Sequence, residues 1–89
     1  MRVEWRPEAR AELWIILDYI SDRNPVAAED LYQAIEAATS ALLQHPYLYR
    51  LGSVPGTREI VVHPNYLVIY RVTNLIEILS VLHARQEYP

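Results

Sequence analysis

Residues 57–83 read TREIVVHPNYLVIYRVTNLIEILSVLH, three runs rich in Val, Ile, Leu and Tyr that two short polar breaks separate. The first break is HPN (63–65) and the second is TN (73–74). Branched and aromatic side chains favour strands, whereas Pro and Asn favour tight turns. The stretch therefore predicts a meander of three antiparallel strands, with Pro64 at a position where no ladder N–H is needed.

Two helices are predicted upstream of these strands. Pro7 suits the first turn of a helix that runs to about Arg23. Asn24 is a suitable N-cap for a second helix that begins at Pro25 and is closed by Pro46. Each helix carries an apolar stripe at helical spacing. The stripes consist of Leu13, Ile16, Leu17 and Ile20 in the first helix and of Ala28, Leu31, Ile35, Ala38 and Leu42 in the second.

The remaining segments complete the predicted fold. Residues 2–5 (RVEW) alternate in polarity and predict a short first strand, and residues 46–56 form a loop rich in Pro and Gly. The predicted order is β-α-α-β-β-β. This is an α+β class, in which a helical hairpin packs on one face of a small antiparallel sheet, and residues 1–89 form a single domain.

Composition narrows the classes of function. The net charge is -3, and residues 1–45 hold eight acids and four arginines while residues 46–89 hold three acids and four arginines. An acidic chain is a poor general nucleic-acid binder, because cationic side chains supply most of that affinity. The absence of cysteine excludes disulfides and thiolate chemistry. No run approaches the ~20 apolar residues of a membrane span, so we expect a cytoplasmic protein without a membrane partner.

Strand alternation predicts which side chains lie on the sheet face away from the helices. The charged positions belong on that outer face, because burying an unpaired charge is costly. The predicted outer set is Leu67, Ile69, Arg71, Leu75, Glu77, Leu79, Val81 and His83. An apolar patch within such a set predicts a bound protein segment, added as a helix or as a strand. The alternative is that the C-terminal tail or a second copy of the chain covers it.

Candidate catalytic and metal-binding residues are few. His45, His63 and His83 have no metal-ligand spacing, and no serine lies in a nucleophile motif. Two glycines in the whole chain do not allow a phosphate-cradling loop. We therefore predict neither a metal site nor a cofactor.

One constellation in the C-terminal half remains. Cationic and phenolic groups on one sheet face can bind phosphate and cleave RNA by acid–base chemistry. The constellation consists of Arg50, Arg58, Arg71, His83, Arg85 and Tyr88. The alternative is that Arg58 and Arg71 only pair with Glu59, Glu77 or Glu87 at the surface, where such pairs contribute little stability.

The chain resembles a known family in three segments: HPYLY (45–49), VPGTREIVVHPNYLVIYRV (54–72) and VLHARQEYP (81–89). Together with the helical hairpin, they are similar to the RelE/ParE superfamily of bacterial toxins and, within it, to plasmid-stabilisation toxins of the ParE type. The resemblance covers almost the whole chain and implies the fold predicted above. It also implies a toxin that a cognate antitoxin wraps and inactivates in a hetero-oligomer, with operator DNA bound only through the antitoxin.

The superfamily divides in mechanism. RelE-type members cleave messenger RNA in the ribosome with a cluster of basic residues and a C-terminal Tyr, whereas ParE-type members inhibit DNA gyrase. Arg58 matches one basic position of the nuclease branch, and Tyr88 roughly matches its terminal Tyr. Leu67 stands where that branch has an Arg, and Ile60 stands at a second basic position. Alkyl groups do not stabilise a phosphorane-like charge, so the resemblance favours gyrase inhibition.

Two surfaces follow as hypotheses. The effector surface is predicted to consist of Arg58, Arg71, His83 and Arg85, and a nuclease would use Tyr88 in addition. The antitoxin surface is predicted to consist of Leu67, Ile69, Leu79 and Val81, with Trp14 and Tyr32 on the helices as anchors. The rival functions are a ribosome-dependent endoribonuclease and a non-toxic binding domain.

Overall fold

The order of elements along the chain is the one that the sequence predicts, with one added strand. The computed structural model describes residues 1–89. The elements are β1 (Val3–Trp5), α1 (Pro7–Ser21), α2 (Pro25–Ala41), β2 (Arg50–Leu51), β3 (Arg58–His63), β4 (Tyr66–Val72) and β5 (Ile76–His83). The added strand β2 lies within the segment predicted as a loop. Neither helix is long and apolar enough to cross a membrane.

The five strands form one sheet in the order β1-β5-β4-β3-β2. The β2–β3, β3–β4 and β4–β5 pairs are antiparallel, as the meander predicts. β1 pairs with β5 in parallel, with Val3 opposite Ile76, which makes the sheet mixed. The α+β class and the helical hairpin on the sheet are confirmed.

The helix boundaries follow from local chemistry. Pro7 is the first residue of α1 and Pro25 the first of α2, where the missing N–H is not needed. Asn24 caps α2, because its Oδ1 accepts a hydrogen bond from the backbone N–H of Ala27 at 3.1 Å. α1 ends at Ser21, two residues before the predicted end.

The main core lies between the helices and the inner face of the sheet. It joins the predicted helical stripes to alternate residues of β3, β4 and β5. Its buried members are Ala9, Leu13, Leu17, Ala28, Leu31, Ile35, Leu42, Ile60, Val68, Tyr70, Ile76, Ile78 and Val81. The helices therefore cover the middle of the central strands on one face of the sheet.

A bulge in β5 overturns part of the predicted face assignment. Ile69 pairs with Ser80 but Tyr70 pairs with Ile78, so Leu79 is an extra residue in the ladder. The alternation of β5 changes phase after this residue. Val81 consequently packs in the main core, and the prediction that it lies on the outer face was wrong. His83 changes sides for the same reason, since it pairs with the inner residue Tyr66.

The outer face carries a second, smaller core instead of an exposed patch. It consists of Leu67, Ile69, Leu79 and Leu82, each no more than 9% exposed. Tyr88 of the C-terminal tail packs against this cluster. The Ser53 hydroxyl donates a hydrogen bond to the Tyr88 carbonyl at 3.3 Å and ties the tail to the 52–57 loop. Of the two predicted alternatives, coverage by the tail is the one that the structure shows.

Glu12 of α1 closes the free edge of β5. β1 pairs only with Ile76–Ile78, so the edge beyond it has no partner strand. The Glu12 carboxylate accepts hydrogen bonds from the Val81 N–H at 3.2 Å and from the Ser80 hydroxyl at 2.9 Å. An unpaired strand edge is a template for unwanted pairing, and a charged acceptor here both satisfies the donor and blocks that pairing.

Replacing Glu12 should therefore destabilise the chain more than replacing another carboxylate of α1. Glu12→Ala should lower the free energy of unfolding by about 1–3 kcal/mol, because it leaves a buried-edge N–H unsatisfied. Urea titration followed by circular dichroism measures the loss. Glu8→Ala, which removes an exposed carboxylate one turn earlier, is the matched control and should change stability by less than about 1 kcal/mol. Equal losses in the two variants would contradict the role of Glu12.

Candidate functional site

The side chains predicted as one effector surface lie in three different places. They are Arg58, Arg71, His83 and Arg85. Arg58 pairs with Tyr70 across β3 and β4, whereas His83 pairs with Tyr66 across β4 and β5. Tyr66 and Tyr70 are four residues apart on one strand, which separates the two pairs by roughly 13 Å. Arg71 follows Tyr70 and so faces the opposite side of the sheet.

Arg58 holds the segment that leads into β2. Its Nη1 donates hydrogen bonds to the Tyr49 carbonyl at 2.8 Å and to the Tyr47 carbonyl at 3.3 Å. Its guanidinium also lies 5.2 Å from the centre of the Tyr47 ring. The half-buried guanidinium of Arg58 therefore binds groups of the chain itself. Arg58 thus acts as a structural anchor in this arrangement.

Tyr70 anchors the same segment from the core. Its hydroxyl donates a hydrogen bond to the Pro46 carbonyl at 2.8 Å, and its ring meets Tyr49 edge to face at 6.5 Å. Burial raises the pKa of the Tyr70 phenol above its ordinary value of 10.0, an effect that the positive charge of Arg58 partly offsets. The phenol therefore stays protonated and continues to donate.

The outer-face cations are neutralised by carboxylates. Arg71 lies 3.0 Å from one oxygen of Glu77, and the other oxygen of Glu77 lies 3.7 Å from Arg6. Arg50 lies 2.7 Å from Glu59. Such partly exposed pairs contribute little to stability, but they remove positive potential from this face. The predicted surface pairing of Arg71 is what the structure shows.

Two histidines flank Tyr66 at the far end of the sheet. The ring centres of His63 and His83 lie 5.8 and 5.5 Å from that of Tyr66. Nδ1 of His63 accepts from the Asn65 N–H at 3.0 Å, and Nδ1 of His83 accepts from the Arg85 N–H at 3.1 Å. Each imidazole thereby stabilises the turn that follows it. His63 belongs to the hairpin turn, as the sequence predicts.

Two positions where the nuclease branch would carry cations hold buried apolar side chains. Leu67 lies in the outer core and Ile60 in the main core, only 9% and 2% exposed. Tyr88 packs on the outer core.

No three His, Asp or Glu side chains lie close enough together to hold a metal ion. Arg85 is the only member of the predicted cation set that is exposed and makes no ion pair.

The residues predicted for antitoxin binding divide into a buried and an exposed group. Leu67, Ile69 and Leu79 lie together but are buried under the tail, and Val81 lies in the main core. Leu82, which is not in the predicted outer set, lies in the outer core in place of Val81 because of the bulge. No sequence pattern marks the bulged residue, so this error was not avoidable from alternation alone.

Trp14 and Tyr32 line a groove between α1 and α2, where Trp14 is exposed and Tyr32 packs against the main core. Trp14 is 51% exposed and stacks on Tyr32, with ring centres 6.4 Å apart and planes 18° apart. The α1–α2 groove is lined by Trp14, Leu17, Asp18, Ser21, Pro25, Ala28, Glu29 and Tyr32. The sequence predicted both aromatic residues but missed the carboxylates of the rim. A helical-wheel projection would have found them, since Asp18 lies one turn after Trp14.

Comparison with known proteins places these observations in a family. A family model described as the ParE toxin of the type II toxin-antitoxin system parDE matches residues 3–88. The Y4kP protein of Sinorhizobium fredii is 36% identical over 89 residues, covering 99% of this chain and 93% of the relative. Toxin RelE2 of Caulobacter vibrioides is 34% identical over 84 residues, covering 93% of this chain and 94% of the relative.

Solved structures share the fold. A chain from the chromosomal ParDE system of P. aeruginosa superposes with a TM-score of 0.79 at 25% identity, covering 93% of this chain and 95% of that one. YafQ from E. coli superposes with a TM-score of 0.63 at 14% identity, covering 92% and 91%, and supports the fold alone.

The Tyr70 hydroxyl should contribute to stability in a pH-dependent way. Tyr70→Phe removes the bond to the Pro46 carbonyl and should lower the free energy of unfolding by about 1 kcal/mol at pH 7. Because the pKa of Tyr70 is raised in the folded chain, the folded state keeps its proton where the unfolded state releases it. The contribution is therefore complete below pH 10 and is lost as the pH rises through the folded-state pKa.

Urea titrations of both proteins between pH 7 and pH 11.5 measure this effect. The stability difference between wild type and Tyr70→Phe should narrow above pH 10. A matched control is Tyr19→Phe, since Tyr19 lies exposed on α1. A constant difference across the whole range would show that burial does not affect Tyr70 as described.

Proposed function

The chain belongs to the ParE toxin family of type II toxin-antitoxin systems, and from this premise we propose that it arrests growth by binding DNA gyrase. In this proposal the chain acts as a binding protein and does not cut messenger RNA. A cognate antitoxin is its partner within the family and keeps it inactive.

The arrangement of the cations is the observation that supports this proposal. Cleavage of a phosphodiester needs free donors at the point where negative charge develops. Here Arg71 is paired with Glu77, Arg58 is bound to backbone carbonyls, and Arg50 is paired with Glu59. The chain therefore offers no cluster of free cations around a phosphate-sized site. Its net charge of -3 also opposes approach to ribosomal RNA.

Two observations favour the nuclease as a second candidate. Toxin RelE2 of Caulobacter vibrioides is a 34% identical relative. The Arg85 backbone N–H also donates to Nδ1 of His83, so these two residues share one corner of the sheet. A nuclease built on this corner would have to act with one cation, which makes it the weaker candidate.

The proposed contact with gyrase centres on this same corner. Arg85 is exposed without an ion pair, and His83 holds its backbone. Arg58 and Arg71, which belong to the predicted effector surface, are engaged within the chain and would reach a target only by leaving those contacts. We therefore place the target contact at His83 and Arg85, and give Arg58 and Arg71 supporting roles.

Two assays with the purified chain separate the candidate functions. The chain should inhibit supercoiling of relaxed plasmid by gyrase and ATP at micromolar concentration. It should leave messenger RNA intact in a translating-ribosome reaction analysed by primer extension. Site-specific cleavage in the ribosomal A site without gyrase inhibition would overturn the proposal. Inactivity in both assays, together with normal growth on expression, would favour a non-toxic binding domain.

Arg85 and Arg58 should differ in what their removal affects. Arg85→Ala should weaken gyrase inhibition at least tenfold at unchanged thermal stability, because it removes an exposed contact. Arg58→Ala should lower stability by about 1–3 kcal/mol, because it frees two carbonyls from a charged donor. Thermal melts and supercoiling titrations of both variants check this. If Arg85→Ala inhibits as well as wild type, the target contact lies elsewhere.

A further inference from the structure

The two edges of the sheet differ in how their backbone groups are satisfied. Along the part of β5 that β1 leaves free, side chains take the place of a partner strand. The Glu12 carboxylate accepts from the Val81 N–H, and the Gln86 amide oxygen accepts from the His83 N–H at 2.8 Å. The opposite edge is β2, whose two residues are both exposed. An open strand edge is a template for pairing with another strand.

The open backbone groups of this edge belong to Leu51. In an antiparallel pair of strands, hydrogen-bonded and non-hydrogen-bonded positions alternate. The Gly52 N–H donates to the Thr57 carbonyl at 2.8 Å, so the neighbouring pair of Leu51 and Arg58 is a non-hydrogen-bonded one. The N–H and C=O of Leu51 therefore point away from β3, and neither bonds to a loop or to a side chain.

Large apolar side chains are exposed where α2 ends and the chain enters β2. They form the β2-edge patch, which consists of Leu43, Tyr47, Leu48 and Leu51, each between 46% and 70% exposed. Arg58 steadies one of them, because its guanidinium lies 5.2 Å from the centre of the Tyr47 ring. A concentration of exposed apolar side chains on a small domain is typical of an interaction surface.

The charge of this region distinguishes between possible partners. Residues 37–57 contain a single charged side chain, Arg50, and it lies 2.7 Å from Glu59. Nucleic acid binds through free cations, and a strongly charged protein is attracted by the opposite charge. The β2-edge patch offers neither of these attractions. A second copy of the chain presents the same uncharged patch, so the repulsion expected between copies of net charge -3 is weakest here.

The backbone of Leu51 is also complementary to itself. When two identical strands run antiparallel about a twofold axis, one residue lies opposite its own copy. If the N–H and C=O of that residue point outward, the two copies exchange a pair of hydrogen bonds. Leu51 meets this condition, whereas Arg50 on the same strand is directed toward Glu59 of β3.

We propose that two copies of the chain associate through β2, paired antiparallel about a twofold axis at Leu51. Each Leu51 N–H donates to the Leu51 carbonyl of the other copy, and the two sheets become one. The two Leu51 side chains then lie directly opposite each other, and the β2-edge patches of the two copies cover one another. The inference is independent of the proposed target, because self-association requires neither gyrase nor an antitoxin.

Sedimentation velocity of the purified full-length chain tests the association itself. The strand is short and the surface is small, so we expect a reversible dimer with a Kd on the order of 10–100 μM. Dilution well below that range should give the monomer. A chain that remains a monomer at about 1 mM would overturn the proposal.

A charge swap at Leu51 tests the position of the twofold axis. Leu51→Glu and Leu51→Arg should each stay monomeric where wild type is a dimer, because like charges then lie directly opposite each other. An equimolar mixture of the two variants should associate about tenfold more tightly than either variant alone, because opposite charges then face each other. A mixture that associates no better than its components would overturn the proposal.

Ile15→Glu is the matched control for these charge variants. Ile15 is as exposed as Leu51 but lies on α1, away from the β2 edge. This variant adds the same charge to the chain and should dimerise with the wild-type Kd. If it weakens dimerisation as much as Leu51→Glu does, the effect belongs to the net charge of the chain, and the assignment of the interface to β2 is wrong.

Proline at the same position tests the two backbone hydrogen bonds. Within one copy the Leu51 N–H faces away from the ladder, so Leu51→Pro should leave the thermal stability of the monomer nearly unchanged. It should weaken dimerisation about fivefold more than Leu51→Ala, which keeps the N–H. Arg50→Pro removes an N–H that faces β3 and should lower the melting temperature instead. Equal dimerisation of Leu51→Pro and Leu51→Ala would overturn the proposed pairing.

Affinity for the antitoxin shows whether the edge serves a different partner. At concentrations where wild type is a monomer, Leu51→Glu should bind purified full-length cognate antitoxin with the wild-type Kd. A large loss of this affinity, together with a wild-type chain that never dimerises, would assign the β2 edge to a strand of the antitoxin and overturn the inference.

Discussion

The central strands β4 and β5 are apolar on both faces, and the rest of the structure depends on covering both of them. The helical hairpin covers the inner face with the stripes of α1 and α2. The C-terminal tail covers the outer face through Tyr88, which packs on Leu67, Ile69, Leu79 and Leu82. A two-layer domain of 89 residues has no third layer to use, so the tail takes its place.

The arginines of the sheet also make their contacts within the chain. Arg58 and Tyr70 hold the segment before β2 by its carbonyls, Arg71 shares Glu77 with Arg6, and Arg50 pairs with Glu59. Each of these guanidinium groups therefore has a partner within the chain. Free cations at a phosphate-sized site would require carboxylates and carbonyls to be placed elsewhere. Arg50, Arg58 and Arg71 would each have to leave a partner within the chain before binding a phosphate.

The sequence predicted the fold because its signals are local. Pro7, Asn24 and Pro25 mark the helix ends, and the HPN and TN breaks mark the strand turns. The faces of the β5 side chains after Leu79 could not be predicted, because alternation assumes an unbroken ladder and Leu79 breaks it. The partners of Arg58 were also out of reach, although the pairing of Arg71 with a nearby Glu was predicted. Whether Arg58 meets carbonyls or a ligand depends on how residues 46–49 cross the sheet end, which no periodicity encodes.

The turn between α1 and α2 connects the α1–α2 groove with the far end of the sheet. Ser21 and Pro25 line the groove at the turn between the helices, and near that turn Ile20 and Ala27 share a second cleft with His63 and Tyr66. Tyr66 in turn contacts His83, beside which Arg85 lies. The turn between the helices and the corner formed by His83 and Arg85 are therefore neighbouring parts of one surface.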